Sequence, residues 1–262
     1  MTDPSRSLLA MRTTAPLIQN ITNYVAMNIA ANVMLAGGAS PAMVHAKEEA
    51  SEFAGLAQGL TVNIGTLDAE WAECMVLAAR AAQDHGTPWV LDPVAVGATG
   101  MRRALGQRLL ALKPTVIRGN ASEILALAGA DTRGRGADAA DGVEAAEQAA
   151  HALATQTGGV VAVTGAIDFV TDGTRTARVA NGDPIMTRVT ALGCALTGVV
   201  GAFITSGPIF DSTVAALAYY GLAGEVAAKT TQGPGSFQPA FLDALYAMTG
   251  PDLDEGARIS TT

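Results

Sequence analysis

The sequence predicts an α/β fold with a central, mostly parallel sheet and helices on both faces. Three observations carry this. Short runs rich in Val, Ile and Leu alternate with longer alanine-rich or amphipathic stretches, the order that parallel crossovers require. Hydrophobic residues make up 49% of the 262 positions and charged residues 15%, enough apolar material for a large core in one domain over 1–262. Asp172-Gly173, between 168–171 and 174–177, is a strong hairpin signal that adds an antiparallel corner.

Taken in order, Leu17-Ile18 opens a short apolar run that passes through Gln19-Asn20-Ile21-Thr22-Asn23 into a helix over about 24–35. Gly37-Gly38 ends that helix, as glycine commonly does. Pro41 to Val44 reads as a strand or its exit, followed by an acidic helix over 47–58 and a strand over 60–64. A helix over 68–84 is stopped by Gly86 and Pro88. Trp89-Val90-Leu91 is a buried-type strand ending in Asp92-Pro93, and Thr115-Val116-Ile117 is another, ending in Arg118-Gly119-Asn120. Helices follow over 101–112 and 121–127. The segment 129–142, with Thr132-Arg133-Gly134-Arg135-Gly136, reads as a surface loop. A helix over 143–157, a strand over 160–163 and Thr164-Gly165 come next, and three helices over 194–205, 212–229 and onward to 248 close the pattern. Residues 251–262 are expected to fray.

A formal charge of −8 argues against nucleic acid and acidic membranes as partners. Cys74 and Cys194 belong to no CxxC pair or Cys/His cluster, which excludes a zinc or disulfide framework. The first residues lack the build of a signal peptide, and the longest apolar run is about half what a membrane crossing needs. Together these point to the cytoplasm.

The stretch Thr190 to Phe203 organises the chemistry. It reads as a tight glycine turn entering an apolar helix at Cys194, and helix starts offer unpaired N–H groups and partial positive charge to an anion. Gly193 permits close backbone approach, and the helix start is expected to favour the Cys194 thiolate; the alternative is a plain helix entry with a buried thiol. No GxxxxGK or GxGxxG motif is present. In open α/β sheets ligands bind beyond the C-terminal strand ends, where Asn23, Met43, Gly65, Asp92, Arg118 and Glu123 fall. Arg118 suits phosphate oxygens, and Asp92 with Glu123 suits magnesium, directly or through water. Each also has a bland role: Glu123 completes a capping box with Asn120, Asp92 makes a turn, Asn23 caps a helix, Met43 fills core, and Thr164-Gly165 makes a βα turn.

Gln19 to Asn23, Asn28 to Asn32, Ser40-Pro41-Ala42-Met43, Asn63 to Leu67, Asp92-Pro93-Val94, Arg118-Gly119-Asn120-Ala121-Ser122-Glu123, Val163-Thr164-Gly165 and Gly193-Cys194 occur in order across nearly the whole chain. In these the sequence resembles the hydroxyethylthiazole kinases of thiamine biosynthesis and salvage, within the ribokinase-like superfamily. The resemblance implies a ribokinase-like fold and ATP- and Mg2+-dependent phosphorylation of the primary alcohol of 4-methyl-5-(2-hydroxyethyl)thiazole. It places Asn23, Met43, Gly65 and Ala191 at the thiazole, Arg118 and Thr164 at ATP, Asp92 and Glu123 at magnesium, and Gly193 and Cys194 at the reacting atoms. It also implies a homotrimer with sites between subunits. Most ribokinase-like enzymes carry aspartate in place of Cys194, so the cysteine is expected to position the hydroxyl and accept its proton late. Ala191 departs from the family's usual glycine, and Leu192 follows it; a position needing φ > 0 would be impeded by alanine. Alternative readings are a sister kinase of hydroxymethylpyrimidine or pyridoxal, an ADP-linked hydrate repair lyase, a silent thiazole- or nucleotide-binding homologue, and, remotely, a Rossmann oxidoreductase.

Overall fold

Neighbouring apolar pairs such as Val90-Leu91 and Val116-Ile117 are wholly buried, which requires a sheet covered on both faces. The computed structural model describes residues 3–129 and 139–262. In order it runs α1 (Pro4–Thr14), β1 (Leu17–Ile21), α2 (Met27–Gly37), β2 (Ser40–Ala42), α3 (Ala50–Leu56), β3 (Gly59–Asn63), α4 (Ala69–His85), β4 (Trp89–Asp92), α5 (Gly100–Leu110), β5 (Val116–Asn120), α6 (Ala121–Leu127) and α7 (Ala139–Thr157). Then come β6 (Val160–Thr164), β7 (Asp168–Thr171), β8 (Thr176–Val179), a 3-10 turn (Pro184–Arg188), α8 (Leu192–Phe203), α9 (Ile209–Thr230), α10 (Pro234–Ala247), α11 (Gly250–Gly256) and β9 (Ile259–Thr261). The tract 132–136, expected to be a loop, lies outside the described residues.

All nine strands join one sheet in the order β2-β1-β3-β4-β5-β6-β7-β8-β9. Pairs from β2 to β6 are parallel, and β6 to β9 are antiparallel. Side chains alternate across the sheet. Ile18, Val90, Val116 and Ala162 face a core layer with α1, α2 and α8 to α11, whereas Leu60, Leu91, Ile117 and Val161 face a second layer with α3 to α7. The parallel register puts the ends of β1, β3, β4, β5 and β6 along one rim. Asn63 lies opposite Asp92, and Asn120 opposite Thr164.

Helix α1, not foreseen from the sequence, starts at an Asp3 cap with Pro4 in its first turn and buries Leu8 and Met11. Two expectations need correction. Helix α8 begins at Leu192 rather than Cys194, so Gly193 sits inside its first turn. The C-terminal residues are docked rather than frayed. Thr249 and Asp252 form a capping box for α11, Leu253 is wholly buried, and β9 pairs with β8. Arg258 also donates to the Glu225 carboxylate, and Asn181 Oδ1 accepts from its N–H. Local sequence hides this, because the tail's partners lie 33 to 86 residues away in the chain. Leu253→Ala is expected to cost about 2–5 kcal/mol, as for other wholly buried leucines. A calorimetric scan should show the thermal midpoint falling by several degrees, and an unchanged midpoint would restore the frayed tail.

Candidate active site

Asp92 ends β4 with no exposed surface. Its Oδ2 accepts from Asn63 Nδ2 at 2.7 Å, from Thr197 Oγ1 at 2.8 Å and from Arg118 Nη1 at 3.4 Å. Its Oδ1 is buried and without a hydrogen-bond partner among the described residues. Burial pushes the Asp92 carboxyl up to about 6; Arg118, Thr197 and Asn63 oppose this, and Glu123 adds to it. A buried carboxylate needs such donors, because an unpaired one is costly.

Arg118 comes from the middle of β5 and is nearly buried. Its Nη2 donates to Thr164 Oγ1 at 2.9 Å, at the end of β6. A Cβ on Gly193 would stand 3.3 Å from that same Nη2, so glycine lets the guanidinium lie close against the first turn of α8. Thr164, Gly193, Leu196 and Tyr220 line a cavity of about 510 Å3 together with Gly165 and Asp168. Asp168 Oδ1 accepts from Gly165 N at 2.9 Å, and burial raises its carboxyl to about 6 against the pull of that N–H and of Arg118.

Unlike α4, α5 and α6, helix α8 has no side-chain cap; its N-cap residue is Ala191. The first-turn N–H groups, those of Leu192, Gly193 and Cys194, therefore face the site as potential anion donors. Ala191 itself lies at φ 63°, in the left-handed region. The turn thus rests on an alanine where glycine would be relaxed. Tyr220 of α9 donates to Leu192 O at 2.7 Å and pins the turn from behind.

On the other side, Asn23 Nδ2 donates to Asn63 Oδ1 at 2.9 Å and to Cys194 Sγ at 3.4 Å. Its Oδ1 accepts from the N–H groups of Val25 and Ala26, before α2. Asn23 is thus both a cap and a neighbour of the thiol. Gly65 is required beside it, since a Cβ there would stand 2.7 Å from Asn23 Nδ2. Met43 follows β2, half-buried against the α2 and α8 layer.

The expected thiolate is not favoured. Burial and the nearby Asp92 carboxylate raise the Cys194 pKa, and the hydrogen bonds of Asn63 and Asn23 and the charge of Arg118 oppose this without reversing it. Glu123 does form the capping box: Oε2 accepts from Asn120 N, and Oε1 accepts from Ala95 N across the rim, each at 2.9 Å. Three contributors carry a chemical role only in three dimensions. Asn63 stands beside Asp92 in register, Thr197 lies one turn beyond Cys194 on the same helix face, and Asp168 sits behind Gly165. The i, i+3 spacing of Cys194 and Thr197 was the one available signal for a shared face.

Ala191→Gly should raise the unfolding free energy by up to about 1 kcal/mol in denaturant titration, because relief of the left-handed strain outweighs glycine's extra unfolded-state entropy. For Asp168, the folded carboxyl titrates near 6 rather than 3.8. The folded state therefore holds a proton that the unfolded state has released across that window, and stability falls as pH rises through it. Asp168→Asn should make that fall shallower, leaving the share that Asp92 contributes with the same sign; an unchanged pH profile of the thermal midpoint would refute this.

Comparison with known proteins accords with this geometry. Residues 8–250 match the model of the hydroxyethylthiazole kinase family. The chain is 68% identical over 249 residues to a hydroxyethylthiazole kinase of Cereibacter sphaeroides, covering 95% of each. It is 60% identical over 261 residues to one of Rhizobium leguminosarum, covering 99% of this chain and 98% of the other. The solved structure of hydroxyethylthiazole kinase protein from Pyrococcus horikoshii superposes with a TM-score of 0.92 at 38% identity over the full length of both chains. A pyridoxal kinase from Staphylococcus aureus, at TM-score 0.65 and 14% identity over 94% of this chain and 98% of the other, shares the fold. The chain belongs to the hydroxyethylthiazole kinase family.

Proposed function

We propose that this kinase transfers the γ-phosphoryl group of ATP to the primary alcohol of 4-methyl-5-(2-hydroxyethyl)thiazole. One observation carries the reading: Arg118, Thr164 and the uncapped N–H groups of Gly193 and Cys194 converge beside a cavity large enough for a nucleotide. Phosphoryl transfer is mostly positioning and electrostatic stabilisation, and these groups supply both. Asn23, Met43, Gly65 and Ala191 form the acceptor side.

Magnesium fits the carboxylates in one way. The free, buried Oδ1 of Asp92 suits a water of the ion's shell, and Glu123, with each oxygen already accepting one N–H, suits a second such water. Among the described residues no cluster of three or more His, Cys, Asp or Glu forms a dedicated cage, so in this reading the ion would be held largely by phosphates. When bound, the ion neutralises charge on the β- and γ-phosphates.

Cys194 holds the acceptor hydroxyl. A neutral thiol has no room for another proton, so the earlier expectation of late proton acceptance gives way to a simpler course. The alcohol oxygen bonds to phosphorus as the bond to ADP breaks, and the alcohol proton leaves through the transferred phosphate to water. A loose transition state tolerates this late departure.

Tyr24 and Val25, directly after Asn23, are more than half exposed. This apolar rim at the acceptor side supports a homotrimer in which a neighbouring subunit completes the pocket. No helix among the described residues is long and apolar enough to cross a membrane.

Incubation with Mg-ATP and the thiazole alcohol should yield thiazole phosphate and ADP, with hydroxymethylpyrimidine and pyridoxal as poor acceptors. Cys194→Ser should lower kcat by less than about 10²-fold, below the usual worth of a general base. Complete loss of turnover with both substrates still bound would instead establish obligatory base catalysis.

A further inference from the structure

Asn63 ends β3, buried to 1% exposure, and is not among the residues that line the cavity of about 510 Å3. Its side chain nevertheless touches both halves of the site. Nδ2 donates to Asp92 Oδ2 at 2.7 Å, while Oδ1 accepts from Asn23 Nδ2 and from Gly65 N, both at 2.9 Å.

The amide is determined in type and orientation. Reversed, it would set its oxygen against the Asp92 carboxylate and its NH2 against two N–H donors. Aspartate at this position would place two carboxylates in contact, and leucine would take one hydrogen bond from each of Asn23, Gly65 and Asp92. Only a carboxamide of this length donates to the acid on one side and accepts two N–H groups on the other. Asp92 in turn meets Arg118, which meets Thr164. A continuous chain of hydrogen bonds therefore runs from the phosphate-binding groups through Asn63 to Asn23 and Cys194.

We propose that Asn63 is a positioning residue that couples the phosphoryl-binding half of the site to the acceptor half, holding Cys194 and Asn23 in line with Asp92 and Arg118. The proposal rests on the kinase reading of the site. Asn63 lies behind the groups that meet substrate, and it acts through them. Misplacement of reacting groups by about 1 Å can cost about 10²-fold in rate.

The test compares Asn63→Leu, Asn63→Thr, Asn23→Ala and the double variant Asn63→Leu/Asn23→Ala with the wild type, by steady-state kinetics on Mg-ATP and the thiazole alcohol. ADP and thiazole phosphate are counted separately. Asn63→Thr keeps a hydroxyl for Asp92 while losing the simultaneous acceptance from Asn23, and it carries the test if the leucine variant fails to fold. The coupling predicts KM for Mg-ATP within about threefold of wild type and kcat for thiazole phosphate lowered about 10²-fold, the cost of misalignment. More than one ADP should be released per thiazole phosphate. The double variant should lose little beyond the larger single loss, as residues acting in one chain are non-additive. Multiplying losses, unchanged kcat, or a kcat that falls only with the folded fraction would overturn the coupling alone. Absence of wild-type turnover would overturn the kinase reading beneath it.

Discussion

The Asp92 carboxylate, fully removed from water, is the constraint on which the rim of the sheet depends. An ionised group in that position is sustained only by donors held in place. Three separate elements supply them: Asn63 from β3, Arg118 from β5 and Thr197 from α8. A slip of one residue in either neighbouring strand would turn Asn63 or Arg118 to the opposite face. Strand register, the docking of α8 and the charge state of the site are therefore one problem with one solution. The raised Asp92 pKa shows how close the balance lies: the three donors offset burial only in part.

The start of α8 is built differently from its neighbours. Helices α4, α5 and α6 close their first turns with Asp68, Thr99 and Asn120. At α8 such a side chain would occupy the place that the proposed function gives to an anion, and the turn instead uses a left-handed residue without a capping group. Alanine at 191 carries strain that glycine would not, and Tyr220 on Leu192 O helps to hold the geometry against it. Strain of this kind persists where the surroundings over-determine the backbone. Here the pin from α9 and the guanidinium of Arg118 over Gly193 do so.

Much of this was legible in the chain. The alternation of apolar strands and helices gives the sheet, and the rule that ligands gather beyond strand C-termini selects Asn23, Met43, Gly65, Asp92, Arg118 and Glu123 as candidates. Hidden were features that depend on lateral neighbours. Asn63 is an unremarkable strand residue until β3 lies beside β4 with Asn63 opposite Asp92. The Cys194 thiol looks activated from its helix position alone, yet Asp92 and its burial reverse the sign, and neither is near it in sequence. Glu123 had both readings open, and the backbone N–H groups of Asn120 and Ala95 engage one lone pair on each oxygen while leaving others for water.

The choice of thiol over carboxylate at 194 follows from the same electrostatics. A carboxylate at this position would stand in the field of Asp92, which already titrates near 6. In the proposed reaction it would also face the negative γ-phosphate. A neutral thiol accepts the Asn23 amide, adds no charge to the proposed path of the incoming phosphoryl group, and puts no further anion beside the α8 N–H groups. What it gives up is an early proton acceptor, and for a primary alcohol attacking a loose transition state that capacity matters least. The site therefore gains its rate from alignment, which places the demand on the rigid side chains behind the thiol.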